Sequence, residues 1–203
     1  MDYLIENKEY SFLEKLSGSG DIPPVKDQLY LSFLRKTNGG LFFGRSLLMY
    51  GNGSLNSCFS LNEMNFLINS LYYAFVPPRY YFGCDVFGNQ FGFSGERIFL
   101  LTIETGKSEL LADSFSEWIA VIEKQKDYYT GQPILMKWEK GNSNLNAVER
   151  LCPKKPFIIG GDYSVDNLYS MSCEEVIECN AKIALQIFNL PDGTPIEGKV
   201  KNL

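Results

Sequence analysis

The chain has 203 residues, of which 45% are hydrophobic, 14% aromatic and 21% charged, enough apolar material for one globular domain with a sizeable appendage. Against 19 Lys and Arg stand 24 Asp and Glu, a net charge of −5, which repels phosphate backbones and anionic lipid and suits a basic partner. Histidine is absent, and with it go the commonest general base, the usual catalytic triads and most zinc and iron sites.

The N-terminal MDYLIENKEY is polar and acidic and does not read as a signal peptide; a first helix is expected near residues 2–17. A second is expected over about 24–37, opened by Pro23-Pro24 and stopped at Asn38-Gly39-Gly40, with Val25, Leu29, Phe33, Tyr30 and Leu34 as its core stripe. Short aromatic or β-branched runs bounded by Gly or Asn then predict strands at 41–43, 47–50, 80–84, 90–93, 98–103 and 108–112. Gly88-Asn89, Ser94-Gly95 and Thr105-Gly106 fall where hairpin turns belong. Three S-x-x-E capping boxes, Ser60–Glu63, Ser114–Glu117 and Ser172–Glu175, open helices through about Ala74, Lys126 and Phe188. The last is strongly amphipathic.

Residues 128–156 mix short apolar runs with Gly, Pro and polar residues and have the look of a linker. The pattern sharpens again into PFIIGGDYSVDNLYSMS, the long helix and a final strand-like PIEGKVKNL. The expected architecture is α+β: a central, mostly antiparallel sheet with helices before and after it, and a small strand–helix–strand C-terminal unit packed on it. The expected division is a first domain over 1–127 and a C-terminal extension over 128–203.

No run of about 18 apolar residues predicts a membrane span. The five cysteines are odd in number, widely spaced and without a CxxC pair, which argues against a zinc knuckle or a redox motif. They read as reduced, half-buried thiols of a cytosolic protein.

Three segments in the first 127 residues share an order and spacing. They are FLRKTNGG with Asn38, Gly39 and Gly40; FGCDVFGNQFGF with Gly83, Asp85, Gly88, Asn89 and Phe91; and ADSFSEWI with Ser114, Phe115, Trp118 and Ile119. This combination resembles the SUKH superfamily, which holds yeast cell-wall-synthesis regulators and many bacterial immunity proteins. GGDYSVDNLYSMSCEEVIECNAKIALQIFNLPDGTPI is similar to C-terminal segments of some immunity proteins of the type VI secretion kind.

The resemblance implies a non-enzymatic immunity protein that binds a cognate secreted toxin, often a nuclease or deaminase, in the cytosol. Such toxins are usually basic, so an acidic inhibitor is physically apt. The alternative is a regulatory scaffold in the manner of the yeast members, although this chain lacks their long disordered segments. No cofactor, metal, nucleic acid or membrane is expected, and the oligomeric state is left open.

Most motif residues also have purely structural readings. Asn38-Gly39-Gly40 tolerates the positive φ of a sharp helix-to-strand turn. Asp85 with Gly88-Asn89 suits Asx-type hydrogen bonding in a hairpin, since a calcium loop would carry several acids at alternate positions. Trp118 reads as core, with an exposed anchor as the alternative. Gly160-Gly161 lacks the spacing of a phosphate loop. No activated nucleophile is apparent, although distant carboxylates can still converge in a fold.

Acid is concentrated in the second half, net −4 over 104–203 against −1 over 1–103. Asp162, Asp166, Glu174, Glu175 and Glu178 fall in one stretch without a basic residue. Acids favour a helix N-terminus, yet Asp162, Asp166, Glu174 and Glu178 are also the candidate contacts for a basic partner. Tyr72-Tyr73, Tyr80-Tyr81 and Tyr128-Tyr129 are candidate aromatic anchors.

Overall fold

Seven strands pair in chain order, each antiparallel to the next: β1 (Lys8–Tyr10), β2 (Gly40–Phe42), β3 (Leu47–Met49), β4 (Tyr80–Cys84), β5 (Gln90–Ser94), β6 (Arg97–Thr102) and β7 (Lys107–Ala112). They belong to a computed structural model that describes residues 1–10, 24–52, 57–191 and 193–194. A second, two-stranded antiparallel sheet joins β8 (Glu149–Pro153) to β9 (Leu168–Ser172). Helices are α1 (Asp2–Glu6), α2 (Gln28–Thr37), α3 (Leu61–Tyr72), α4 (Phe115–Lys124), α5 (Lys126–Thr130), α6 (Gln132–Glu139) and α7 (Cys173–Ile187). The fold is α+β, with helices before, within and after an antiparallel meander.

The serines of the three predicted capping boxes do cap. Ser60, Ser114 and Ser172 hydroxyls accept from the backbone N–H three residues on, at 3.3, 3.2 and 3.2 Å. At Ser172 the Glu175 carboxylate also returns a bond to the cap's own N–H, completing the box. Asp27 is a fourth cap. Its Oδ1 accepts from Leu29 and Tyr30, both at 3.0 Å, and its Oδ2 accepts from Phe115 N at 2.9 Å. One carboxylate therefore serves the first turns of both α2 and α4 and fixes their mutual position.

That cap is why α2 starts at Gln28 and not at the Pro23-Pro24 pair: Pro24 precedes the helix. The expected first helix is shorter too. It ends at Glu6, and Lys8–Tyr10 pairs with β2 as a strand; residues 11–17 lie outside the described residues. Residues 128–156 are not a linker but hold the end of α5, all of α6, and β8. Pro133 suits the first turn of α6, and Leu135 and Trp138 give that short helix a buried face. Phe157–Ile159 is a single 3₁₀ turn, and β9 pairs with β8 ahead of α7. The expected closing strand over 195–203 lies outside the described residues.

The core is aromatic. Tyr30, Phe82, Phe93, Phe115 and Trp118 interlock, with Phe82 edge-on to Trp118 at 5.1 Å and 88° and Phe115 stacked on Trp118 at 5.3 Å and 15°. Burial of each such ring is worth about 2 kcal/mol or more. α7 joins this cluster through Val176, Ile177, Ala181 and Ala184. A satellite cluster of Val86, Leu135, Trp138, Leu145, Leu151 and Leu168 lies between the β4–β5 turn, α6 and the small sheet. Backbone bonds tie the β4–β5 turn to its neighbours there: Leu151 N of β8 to Val86 O at 2.8 Å, and Val86 N to Thr130 O of α5 at 3.3 Å.

Candidate functional site: an aromatic groove beside the β4–β5 turn

The residues of the three spaced sequence segments serve the scaffold. Asn38, at φ 46°, ends α2 in the left-handed region and exchanges two hydrogen bonds with the Asn52 backbone, at 3.0 and 2.9 Å. Gly39 follows at φ +78°, where a Cβ would lie 2.5 Å from the Met49 carbonyl oxygen; only glycine fits this passage into β2. Gly40 then pairs with Met49, and Gly83 pairs with both Met49 and Phe91. Trp118 is fully buried, so it is core and not an exposed anchor.

Asp85 and Asn89 organise the turn between β4 and β5, with Gly88 at φ +84° between them. Asp85 accepts from Phe87 N at 2.9 Å, Asn89 N at 2.8 Å and Asn89 Nδ2 at 2.8 Å. Asn89 Oδ1 in turn accepts from Ile103 N at 3.2 Å, tying the turn to the end of β6. This is the Asx hydrogen bonding expected of a hairpin. Burial pushes the Asp85 carboxyl up to about 7, against three N–H groups that favour its charged form.

The turn forms the floor of an open groove of about 520 Å³. Leu100, Thr102 and Glu109 of the sheet line one side, and Asp127, Tyr128, Tyr129, Ile134 and Lys137 of α5 and α6 line the other. Phe87 and Tyr163 close one end, where Tyr163 stacks flat on Phe157 at 3.9 Å and 7°, with Phe87 edge-on to both. Tyr128 and Tyr163 are 76% and 69% exposed, a large aromatic area to leave in water. Burial, then the Glu104, Asp85 and Tyr128 groups, raise the Tyr163 phenol. Gly131 makes the groove's shape possible. At φ +68° it turns α5 into α6, and a Cβ there would lie 2.6 Å from Val86 Cγ1.

Glu104 holds the Tyr163 end in place. Its carboxylate accepts from Phe157 N at 2.7 Å and Ile158 N at 3.2 Å, capping the 3₁₀ turn that carries Phe157. Burial raises its pKa against those two bonds. Gly160 and Gly161 close the same loop, with Gly161 N bonded to Pro156 O at 2.9 Å.

The four acidic candidates occupy two different segments. Asp162 and Asp166 are exposed on the loop that carries Tyr163. Glu178 is exposed on α7, whereas Glu174 is half-buried and turned toward the Cys58 thiol, which it helps to raise after burial itself. Of the three tyrosine pairs, only Tyr128-Tyr129 lines the groove; Tyr72 and Tyr81 are buried. Tyr163 and Phe87 were not among the sequence candidates. The available signal was an aromatic residue isolated among Gly, Asp and Ser in GGDYSVD.

Arg150 of β8 is also unforeseen. It is 0% exposed, and beyond one bond from Nη1 to Glu149 O its Nε and Nη2 have no hydrogen-bond partner. Around it are the buried Cys84 and Cys173 sulfurs and Tyr50, whose hydroxyl donates to Gln90 Oε1 at 2.8 Å. Burial works to raise the Cys84 thiol, but the Cys173 hydrogen bond, the Arg150 cation and the Tyr50 hydroxyl outweigh it and bring it to about 6. Four of the five thiols are buried where half-burial was expected, and only Cys179 is partly exposed. Among the described residues, no group of three or more Cys, Asp or Glu could hold a metal ion. Nor is any described helix long and apolar enough to cross a membrane.

The chain matches no described protein family by sequence and no curated protein. Its fold is similar to the crystal structure of Atu4351 from Agrobacterium tumefaciens, with a TM-score of 0.57 over 81% of this chain and 85% of that one, at 14% identity. At that identity the likeness is one of fold.

Proposed function

We propose that this chain is a SUKH-type immunity protein that binds a basic, cytosol-acting toxin and blocks it without catalysing a reaction. The observation that carries this reading is the groove, where two largely exposed tyrosines and the exposed carboxylates of Glu109 and Asp127 flank the β4–β5 turn. Aromatic residues of this kind dominate binding energy at protein interfaces. A net charge of −5 would speed encounter with a cationic partner. The family reading rests on the sequence resemblance, whose motif residues occupy turns and core positions of this fold.

The test is affinity capture from the native cell at low and high salt, followed by reconstitution with the purified partner. One basic polypeptide in stoichiometric yield, held less tightly as salt rises, whose nuclease or deaminase activity the chain suppresses, is the expected result. Several cell-wall or signalling proteins in sub-stoichiometric amounts would favour the scaffold instead. Suppression of no activity by any captured partner would overturn the immunity reading.

A further inference from the structure

We infer that the groove receives an arginine side chain of the partner, stacked against Tyr128 and Tyr163 and paired with the Asp127 and Glu109 carboxylates. This rests on the preceding reading that the partner is a basic polypeptide. The rings come from two elements: Tyr128 from α5, edge-on to Tyr129 at 4.9 Å and 85°, and Tyr163 from the loop before β9. Phe157 covers one face of Tyr163, and 69% of that residue is still open to solvent. A guanidinium plane stacks on such a face while its N–H fork reaches carboxylates at the edge.

Charge decides between occupants. The exposed ionic groups lining the groove are Glu109, Asp127 and Lys137, with Asp162 and Asp166 exposed on the loop beyond Tyr163. An acidic peptide or a nucleic acid would bring like charge against these carboxylates. A wholly apolar segment would strip water from the Glu109 and Asp127 carboxylates and supply no hydrogen-bond donor in its place, which costs free energy. Lys126 lies 3.8 Å from Asp127 on a largely exposed carboxylate, a contact weak enough for an incoming guanidinium to replace. The apolar side chains of Leu100 and Ile134 on the two sides of the groove suit the aliphatic stem of a long basic side chain.

The experiment titrates the full, isotope-labelled chain with capped tripeptides Ala-Xaa-Ala, where Xaa is arginine, citrulline, norleucine or glutamate, and follows amide resonances. The arginine peptide should shift Phe87, Gly131 and Tyr163, with citrulline weaker by about tenfold because it keeps the shape and loses the charge. Tyr163→Ala and Tyr128→Ala, both at exposed positions, should weaken the arginine peptide by about fivefold or more while leaving the rest of the spectrum unchanged. Equal binding of citrulline, preference for norleucine or glutamate, shifts confined elsewhere, or no shifts at all would each overturn the inference. A captured toxin that binds the double tyrosine variant as tightly as the wild type would sink this groove and leave the immunity reading standing. A chain that captures no toxin while still preferring the arginine peptide would do the reverse.

Discussion

Replacing Arg150 by methionine removes a guanidinium that is 0% exposed and has two unpartnered donors, Nε and Nη2. Two effects oppose one another. Loss of a buried cation whose Nε and Nη2 are unpartnered relieves its desolvation cost. Against this, Cys84 loses the cation that helps hold its thiol near 6 instead of the usual 9.0. A group lowered on folding adds stability that is present above the unfolded pKa and fades as pH falls through the folded one. For a shift of this size, stability at pH 9 exceeds that at pH 6 by about 3 kcal/mol from this thiol alone. Urea denaturation of wild type and Arg150→Met at the two pH values reads the part of that difference that depends on Arg150, which acts on Cys173 as well as on Cys84. The wild type should gain stability relative to the variant as pH rises, and Cys84→Ser should flatten the same gradient with Arg150 still present. An equal pH dependence in wild type and Arg150→Met would refute the thiolate–guanidinium pairing. Arg150→Ala, which also leaves a void where the stem lay, should be destabilised by about 3 kcal/mol or more.

Gly131→Ala combines a strained φ of +68° with a Cβ 2.6 Å from Val86 Cγ1, and should cost about 2–3 kcal/mol in urea denaturation. A shift under about 0.5 kcal/mol would show that the α5–α6 elbow is not fixed as described. Trp118→Ala removes a fully buried ring packed among Phe82, Phe91 and Phe115, at about 3–5 kcal/mol in the same assay. Asp85 has a folded pKa raised from 3.8 to about 7 by burial, so its contribution is full below 3.8 and is lost as pH rises through 7. Wild-type stability should therefore fall relative to Asp85→Asn across that interval, by up to about 4 kcal/mol. Parallel curves for the two proteins would mean that the three N–H bonds keep the carboxyl ionised.

Local signals were legible where a residue's own neighbourhood fixes its role. Ser60, Ser114 and Ser172 cap because an oxygen at that position meets an orphan N–H three residues on, wherever the helix lies in the fold. Gly88, Gly95 and Gly106 mark turns for the same local reason, each at positive φ. Asp27 was missed because half of its role is long-range: the bond to Phe115 N spans 88 residues, and the adjacent prolines offered a competing helix start. Residues 128–156 read as a linker because α5 and α6 are too short to show a full apolar stripe; tertiary contacts hold them, with Val86, Leu145 and Leu168 clustered with Leu135 and Trp138 of α6 and Val86 N bonded to Thr130 O of α5.

The groove escaped the sequence for a related reason. Its walls come from β6, β7, the β4–β5 turn, α5, α6 and the loop before β9, so no single window contains it. Tyr128 precedes Tyr163 by a long stretch of chain, and neither carries the apolar periodicity of a buried element. The same separation divides the scaffold from the groove. Asn38, Gly39, Asp85, Asn89 and Trp118 spend their side chains and φ angles on the scaffold, whereas Tyr128 and Tyr163 are mostly in water and make few core contacts. Substitution at the two tyrosines can therefore alter what the groove accepts at little cost to the core, while substitution at the motif alters the fold first. On the proposed reading, partner choice and stability rest on different side chains, so a motif-based reading reaches the fold and stops short of the partner.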